Sequence, residues 1–197
     1  SQPLEDRAAD ADLQRMVRTA RQPDLFAAET LPEGFAYAED RIGTALEKRL
    51  LGEIANLPFQ PFEFHGFFGN RRVVSFGWCY DYAGRALKAS DPMPDFLQPL
   101  RAIAAAFAKL PADRFQQALV TEYAPGAGIG WHRDKPMFED VVAFSLLASC
   151  SLRLRRKEGD GWTRHAQVVE PRSAYLLRGS ARFDWEHSIP PVDELRY

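Results

Sequence analysis

A mainly β domain, a sandwich or barrel with helices on one face, is the architecture the sequence predicts. Three observations carry it. Beyond Phe115, short apolar segments follow one another, separated by Gly, Pro and charged residues, which is the texture of consecutive strands and turns. Two stretches with helical spacing, 44–54 and 96–110, both come earlier. Between them lies a run rich in aromatic and β-branched residues, 58–82. The length of 197 residues is enough for one sizeable buried core.

Each element has its own signal. Residues 1–40 hold 4 basic and 9 acidic residues. This acidic N-terminal segment, whose stretch up to Arg21 reads equally as loose chain or as a helix, is separated from a domain over 41–197. Leu46, Leu50, Leu51 and Ile54 recur at helical spacing, and Pro58 ends that helix. Strands near 61–67 and 72–82 form a hairpin, with Gly69-Asn70 as the turn signal. Leu97, Leu100, Ile103, Phe107 and Leu110 give a second helix its apolar face, closed by Pro111. Strands then follow at 118–123, 141–147, 151–155, 166–169, 174–177 and 187–189.

Composition narrows the function. Apolar residues at 46% and charged residues at 26% are an ordinary globular mix. The net charge of -2 gives no global attraction to nucleic acid. Beyond residue 40, however, 21 basic residues outnumber 18 acidic ones, so the body is mildly basic. Two cysteines, Cys79 and Cys150, exclude a disulfide-dense scaffold and a cysteine-built zinc site; both read as buried thiols. No apolar run reaches the length of a membrane span. The acidic start is neither a signal peptide nor a basic transit peptide, and Ser at position 1 suggests a start that is either processed or set by the expressed form. A cytoplasmic monomer with no membrane partner is the expectation.

The sharpest local feature is Gly128-Ile129-Gly130-Trp131-His132-Arg133-Asp134. On an extended strand His132 and Asp134 share a face, so an imidazole and a carboxylate can meet at one point. His187 is the best third ligand. Two histidines and one carboxylate make a facial triad that leaves positions on iron open for a cosubstrate and oxygen. The pair alone also fits a surface histidine beside an Asp134–Lys135 contact. His165, in the polar stretch GDGWTRHAQ, reads as solvated, and His65 as a packing residue among aromatics.

The run Tyr123-Ala124-Pro125-Gly126-Ala127, then Ile129 to Lys135, then His187-Ser188-Ile189-Pro190-Pro191 and Leu195-Arg196-Tyr197, resembles the AlkB-like iron(II)/2-oxoglutarate dioxygenases. The resemblance spans about 46–197. It implies a double-stranded β-helix, or jelly roll, with helices buttressing one sheet. It further implies iron(II) on His132, Asp134 and His187, 2-oxoglutarate paired through Arg196, and a hydrogen bond from Tyr123 to that cosubstrate. The implied reaction oxidises an N-methyl group on a nucleobase of DNA or RNA, releasing succinate, carbon dioxide and formaldehyde. Three departures matter. Thr121 stands where many repair members have Asn. Pro136 stands where many have an acidic residue that meets the target base. The chain also stops one residue after Arg196, whereas the family motif has a second arginine six residues on, on a closing strand. The resemblance therefore implies either a shortened chain, lacking one core strand and turning over weakly, or a natural departure.

The family's substrate lid corresponds to about 61–82. There Arg71, Arg72, Trp78, Tyr80 and Tyr82 combine cations with rings, which suits single-stranded DNA or RNA. The same alternation also fits one apolar face packed on the core, shared by Phe76, Trp78, Tyr80 and Tyr82. Arg153, Arg155, Arg156 and Lys157 form the strongest basic cluster, equally a solvated hairpin tip or a phosphate-binding rim. Trp131 reads as core and Trp185 as a pocket wall. Two alternatives accompany nucleobase demethylation: the same cofactor chemistry on a protein or small molecule, and a jelly-roll binding protein without turnover.

Overall fold

Alternating burial along each strand is what assembles the domain. The computed structural model describes residues 31–64, 67–81 and 84–197. Twelve strands and three α-helices run through them: β1 Phe35–Ala38, α1 Thr44–Ile54, β2 Gln60–Phe64, β3 Phe67–Phe76, β4 Trp78–Asp81, β5 Ala86–Ala89, α2 Gln98–Ala108, β6 Ala118–Tyr123, β7 Ile129–His132, β8 Val141–Phe144, β9 Cys150–Glu158, β10 Gly161–Val169, β11 Ala174–Leu177, α3 Gly179–Phe183 and β12 Glu186–Ile189.

One four-stranded antiparallel sheet has the order β10-β9-β12-β7. Two three-stranded sheets, β1-β11-β8 and β2-β3-β6, are joined by the last two residues. Arg196 exchanges backbone hydrogen bonds with Tyr123 at the end of β6 (2.9 and 3.1 Å), and Tyr197 with Leu146 just past β8 (3.0 and 3.3 Å). The result is one broad sheet opposite the four-stranded one, the jelly-roll architecture expected. Leu152 and Leu154 of β9, both without exposed surface, meet Phe35, Leu177 and Ile189 between the layers. Helices α1 and α2 cover the outer side of the broad sheet: Leu50 and Ile54 of α1 and Leu100 of α2 join Phe76 of β3 and Val120 of β6 in one cluster.

The helix over 44–54 appears at its expected bounds. The second begins as a 3-10 turn at Asp95–Leu97, becomes α-helical at Gln98, and ends at Lys109 in the left-handed conformation (φ 55°). Other expectations are corrected. Gly69 and Asn70 lie within β3 and the β2–β3 connection falls at 65–66, because Phe64 pairs with Phe67. The strand expected over 72–82 is broken at Gly77 (φ 78°), where any Cβ would overlap the carbonyl oxygen of Gln116. The shared face of Phe76, Trp78 and Tyr80 is thereby lost. Phe76 is buried on the helix side, whereas Trp78 is 40% exposed in the separate β4–β5 ribbon. His165 is not solvated: it is buried on the inner face of β10, edge-on to Phe35 at 5.9 Å. Trp131 is half-buried, and on its outer side it meets the guanidinium of Arg155 rather than an apolar core. The loose segment expected through residue 40 lies mostly outside the described residues; of its final ten, β1 pairs with β11 along its whole length. No helix among the described residues is long and apolar enough to cross a membrane.

Candidate active site

β7 and β12 are neighbours, and their register sets His132 directly opposite His187. The two rings lie 4.2 Å apart between centroids. Strand β7 stops at His132, so Asp134 comes not from the strand face expected but from the loop after it. Its Oδ1 nevertheless sits 3.7 Å from Nε2 of His132 and 3.7 Å from Nε2 of His187. Donor atoms of the three residues all lie within 4.8 Å of one another.

Local chemistry readies these donors. The Gly130 carbonyl, 2.8 Å from His132 Nδ1, can only accept; Nδ1 therefore donates to it and Nε2 is the nitrogen turned toward Asp134. Burial pushes the His187 imidazole down to about 4, against the opposing pull of Asp134, so the ring is neutral at ordinary pH. Two imidazoles and a carboxylate with open space beside them suit a divalent first-row metal.

The loop that carries Asp134 is held by a residue the sequence reading did not single out. Arg182 of α3 is only 2% exposed. Its guanidinium donates to four carbonyls of this one loop: Asp134 (3.2 Å), Lys135 (2.6 Å), Phe138 (2.6 Å) and Glu139 (3.0 Å). No periodicity in the sequence marks it, since the contact depends on tertiary closure across 43 or more positions.

Arg196 is the second unusual group. It is 3% exposed, its Cζ lies 3.6 Å from the Tyr123 ring centroid, and its Nε and Nη2 find no hydrogen-bond partner among the described residues. A buried guanidinium without an anion is costly, and an anionic group bound beside it would offset that cost. Thr121 and Tyr123 point the same way from β6, while Val120 faces the helices. Burial raises the Tyr123 phenol above its ordinary range, opposed by Arg196; it stays a protonated donor. His132, Asp134, His187, Arg196, Tyr123 and Thr121 all line one open cavity of about 1560 Å³.

The substrate candidates separate by strand parity. Arg71, Trp78 and Tyr80 line that cavity. Arg71 lies over the Phe62 ring at 3.8 Å, and Lys135 over the Tyr80 ring at 4.7 Å, tying the β4–β5 ribbon to the loop after β7. Arg72 points to the opposite side of β3, bonded to Glu122 at 2.7 Å and over Phe59. Trp185 is no pocket wall: it is 4% exposed within the inter-sheet core, because the residue two before His187 falls where the chain leaves α3 and packs inward. Pro136 is exposed on the loop, and its neighbours Lys135 and Met137, not Pro136, border the cavity. Cys150, buried, and Cys79, half-buried, both border the cavity as well. Tyr82 and His65 lie outside the described residues.

Comparison with known proteins bears directly on this arrangement. The family model described as the 2OG-Fe(II) oxygenase superfamily matches residues 55–196. The "Alkylated DNA repair protein ALKBH8 homolog" of Arabidopsis thaliana is 28% identical over 144 residues, covering 61% of this chain and 42% of that protein. The "Uncharacterized protein L905" of Acanthamoeba polyphaga mimivirus is 33% identical over 76 residues, 38% of this chain and 36% of its own length. The chain thus spans less than half of either relative. Among solved structures, that of OsALKBH1 superposes with a TM-score of 0.60 at 13% identity, covering 83% of this chain and 87% of the other, which shows a shared fold.

Proposed function

The chain belongs to the 2OG-Fe(II) oxygenase superfamily as an AlkB-like member, and from that premise we propose that it oxidatively removes N-methyl groups from nucleobases of DNA or RNA. It is an oxygenase whose cofactor is Fe(II) and whose cosubstrate is 2-oxoglutarate. One observation carries the reading: the His132–Asp134–His187 cluster and the buried guanidinium of Arg196, whose Nε and Nη2 have no partner among the described residues, share a cavity also lined by Arg71, Trp78 and Tyr80. The name of the Arabidopsis relative, an alkylated-DNA repair protein, points to the same substrate class.

His132, Asp134 and His187 hold the metal. Together with 2-oxoglutarate it supplies the oxidation that inserts one oxygen atom of O₂ into a substrate C–H bond, the cosubstrate leaving as succinate and carbon dioxide. The protein's own contribution is positional. The Gly130 carbonyl aims the His132 ring. Arg196 takes the distal carboxylate of 2-oxoglutarate in a bidentate, charge-assisted pair, and Tyr123 and Thr121 offer hydroxyl groups to the same cosubstrate. Trp78 and Tyr80 stack the flipped base, and Arg71 meets a phosphate. A hydroxylated N-methyl group then loses formaldehyde and leaves the free amine.

The decisive experiment follows succinate release and oligonucleotide mass together, with single strands carrying 1-methyladenine or 3-methylcytosine. Succinate stimulated by the oligonucleotide, with loss of one methyl group per turnover, is expected. Succinate without methyl loss would move the substrate to another nucleic-acid mark, a protein or a small molecule. Arg196→Met is expected to raise KM for 2-oxoglutarate roughly tenfold to a hundredfold, the equivalent of a lost charge-assisted hydrogen bond. Steady-state kinetics at varied 2-oxoglutarate check this, with metal affinity unchanged.

A further inference from the structure

The outer face of the four-stranded sheet is built unlike an ordinary solvated surface. Inward residues of β9, Leu152 and Leu154, are fully buried, so Arg153, Arg155 and Lys157 alternate outward. The register places Trp162 opposite Lys157 and Arg164 opposite Arg155 on that same outer side. Arg155 lies between two rings, 4.3 Å from the Trp131 centroid and 4.2 Å from that of Trp162. Glu186 holds its guanidinium there at 2.7 Å. Arg153 also approaches Trp131 (5.2 Å), and Lys157 approaches Trp162 (5.5 Å). Glu186 is the carboxylate of this face among the described strand residues, against Arg153, Arg155, Lys157 and Arg164.

We propose that this face is a second nucleic-acid contact, one that binds the backbone and bases of a single strand outside the catalytic cavity. On β12, Glu186 and Ser188 alternate with His187, so a ligand on this face lies across the sheet from the metal cluster. Arg153, Arg155 and Lys157 are spaced about 7 Å apart along β9, a repeat that suits successive phosphates of an extended strand. Trp162, 36% exposed, offers a ring for an unpaired base. A ring exposed beside a row of cations suits unpaired bases that can stack on it, which favours single strands. The inference does not need the demethylase reading, because binding here requires neither metal nor methyl group.

The test is fluorescence anisotropy with unmodified oligothymidine and oligouridine of about 15 nucleotides, on the full chain without added metal or 2-oxoglutarate. The double variant Arg153→Glu/Arg164→Glu is expected to bind at least tenfold more weakly, on the order of the loss two phosphate contacts cause, with the log–log salt slope reduced by about 1.4. Trp162→Ala is expected to lose about fivefold or more. Both charge-reversed positions are exposed, and circular dichroism melting confirms that the variants fold. The control Lys48→Glu/Arg49→Glu makes the same charge change at exposed positions of α1 and should leave affinity within about twofold. An equal loss in the control would mean global charge alone, and would overturn the proposal. So would unchanged affinity in the β9–β10 variants, or failure of the unaltered chain to bind either oligonucleotide while it binds phosphatidylserine vesicles. Because the oligonucleotides carry no methylated base, a negative result here is separate from a negative result in the demethylation assay. The two oligonucleotides distinguish DNA from RNA as the source of the strand.

Discussion

Asp134→Asn is expected to abolish succinate release and to weaken Mn(II) or Co(II) binding by more than about a hundredfold, beyond what loss of an outer-shell partner costs, while leaving the melting temperature of the metal-free protein unchanged. The reasoning begins with what Asp134 contributes without metal. It is partly exposed, and its Oδ1 lies 3.7 Å from each histidine Nε2. Both distances are longer than a hydrogen bond, so little direct stabilisation is lost with the charge. Asn has the same volume, and the loop is held by its backbone carbonyls rather than by the carboxylate. Metal binding is a different matter, because the carboxylate is the one anionic donor among the three. Replacing it leaves two neutral nitrogens and an amide oxygen, a poor match for Fe(II). Isothermal titration with Co(II), the visible spectrum of the Co(II) complex and a thermal melt of the metal-free protein separate these effects. Retained metal affinity would move the metal site elsewhere.

Several features of this site were legible in the chain and others were not, for physical reasons. β6 and β11 appear at their predicted bounds, because short apolar strands between Gly, Pro and charged residues announce themselves. The pairing of His132 with His187 was not derivable from spacing. It depends on β7 and β12 being laid side by side across more than fifty residues, so the residues could name His187 as the best third ligand and the likeness to a known family could support it, but neither gave the register. Parity was lost wherever the strand pattern broke. Gly77 ends β3, so Trp78 and Tyr80 turn to the cavity while Phe76 turns to the helices. Arg71 and Arg72 look alike in sequence, yet only the pairing of β3 with β6 reveals that Arg71 stands beside Tyr123 and Arg72 beside Glu122. His165 was misread because Trp162, Thr163 and Arg164 around it are exposed at a hairpin end, which hides a buried inward position. Strand β1 and the short helix α3 were not among the expected elements, and α3 supplies Arg182.

Arg182→Met should cost the fold on the order of 3–5 kcal/mol, the penalty for stripping one partner from a buried charged network, and should disturb the metal site from a distance. The four carbonyls that Arg182 satisfies all belong to the loop 134–139. In methionine's place they would be left buried and unpaired or would draw in water, each at a cost of about 1–3 kcal/mol before relaxation. Burial already works against the guanidinium, lowering its pKa with Asp134 opposing, and only a planar fork with five N–H groups can reach so many acceptors. Arg182→Lys is the informative variant. It keeps the charge but has at most three donors on one nitrogen, so some of the loop's carbonyls are released while the fold survives. Its expected signature is a metal affinity weakened about ten- to a hundredfold, as for other groups that orient a ligand, with KM for 2-oxoglutarate unchanged, since Arg196 and Tyr123 sit on a different strand pair. A merely structural arginine would lower the melting temperature without moving the Co(II) spectrum or the metal affinity. An arginine that fixes the height of Asp134 above the two histidines must move both.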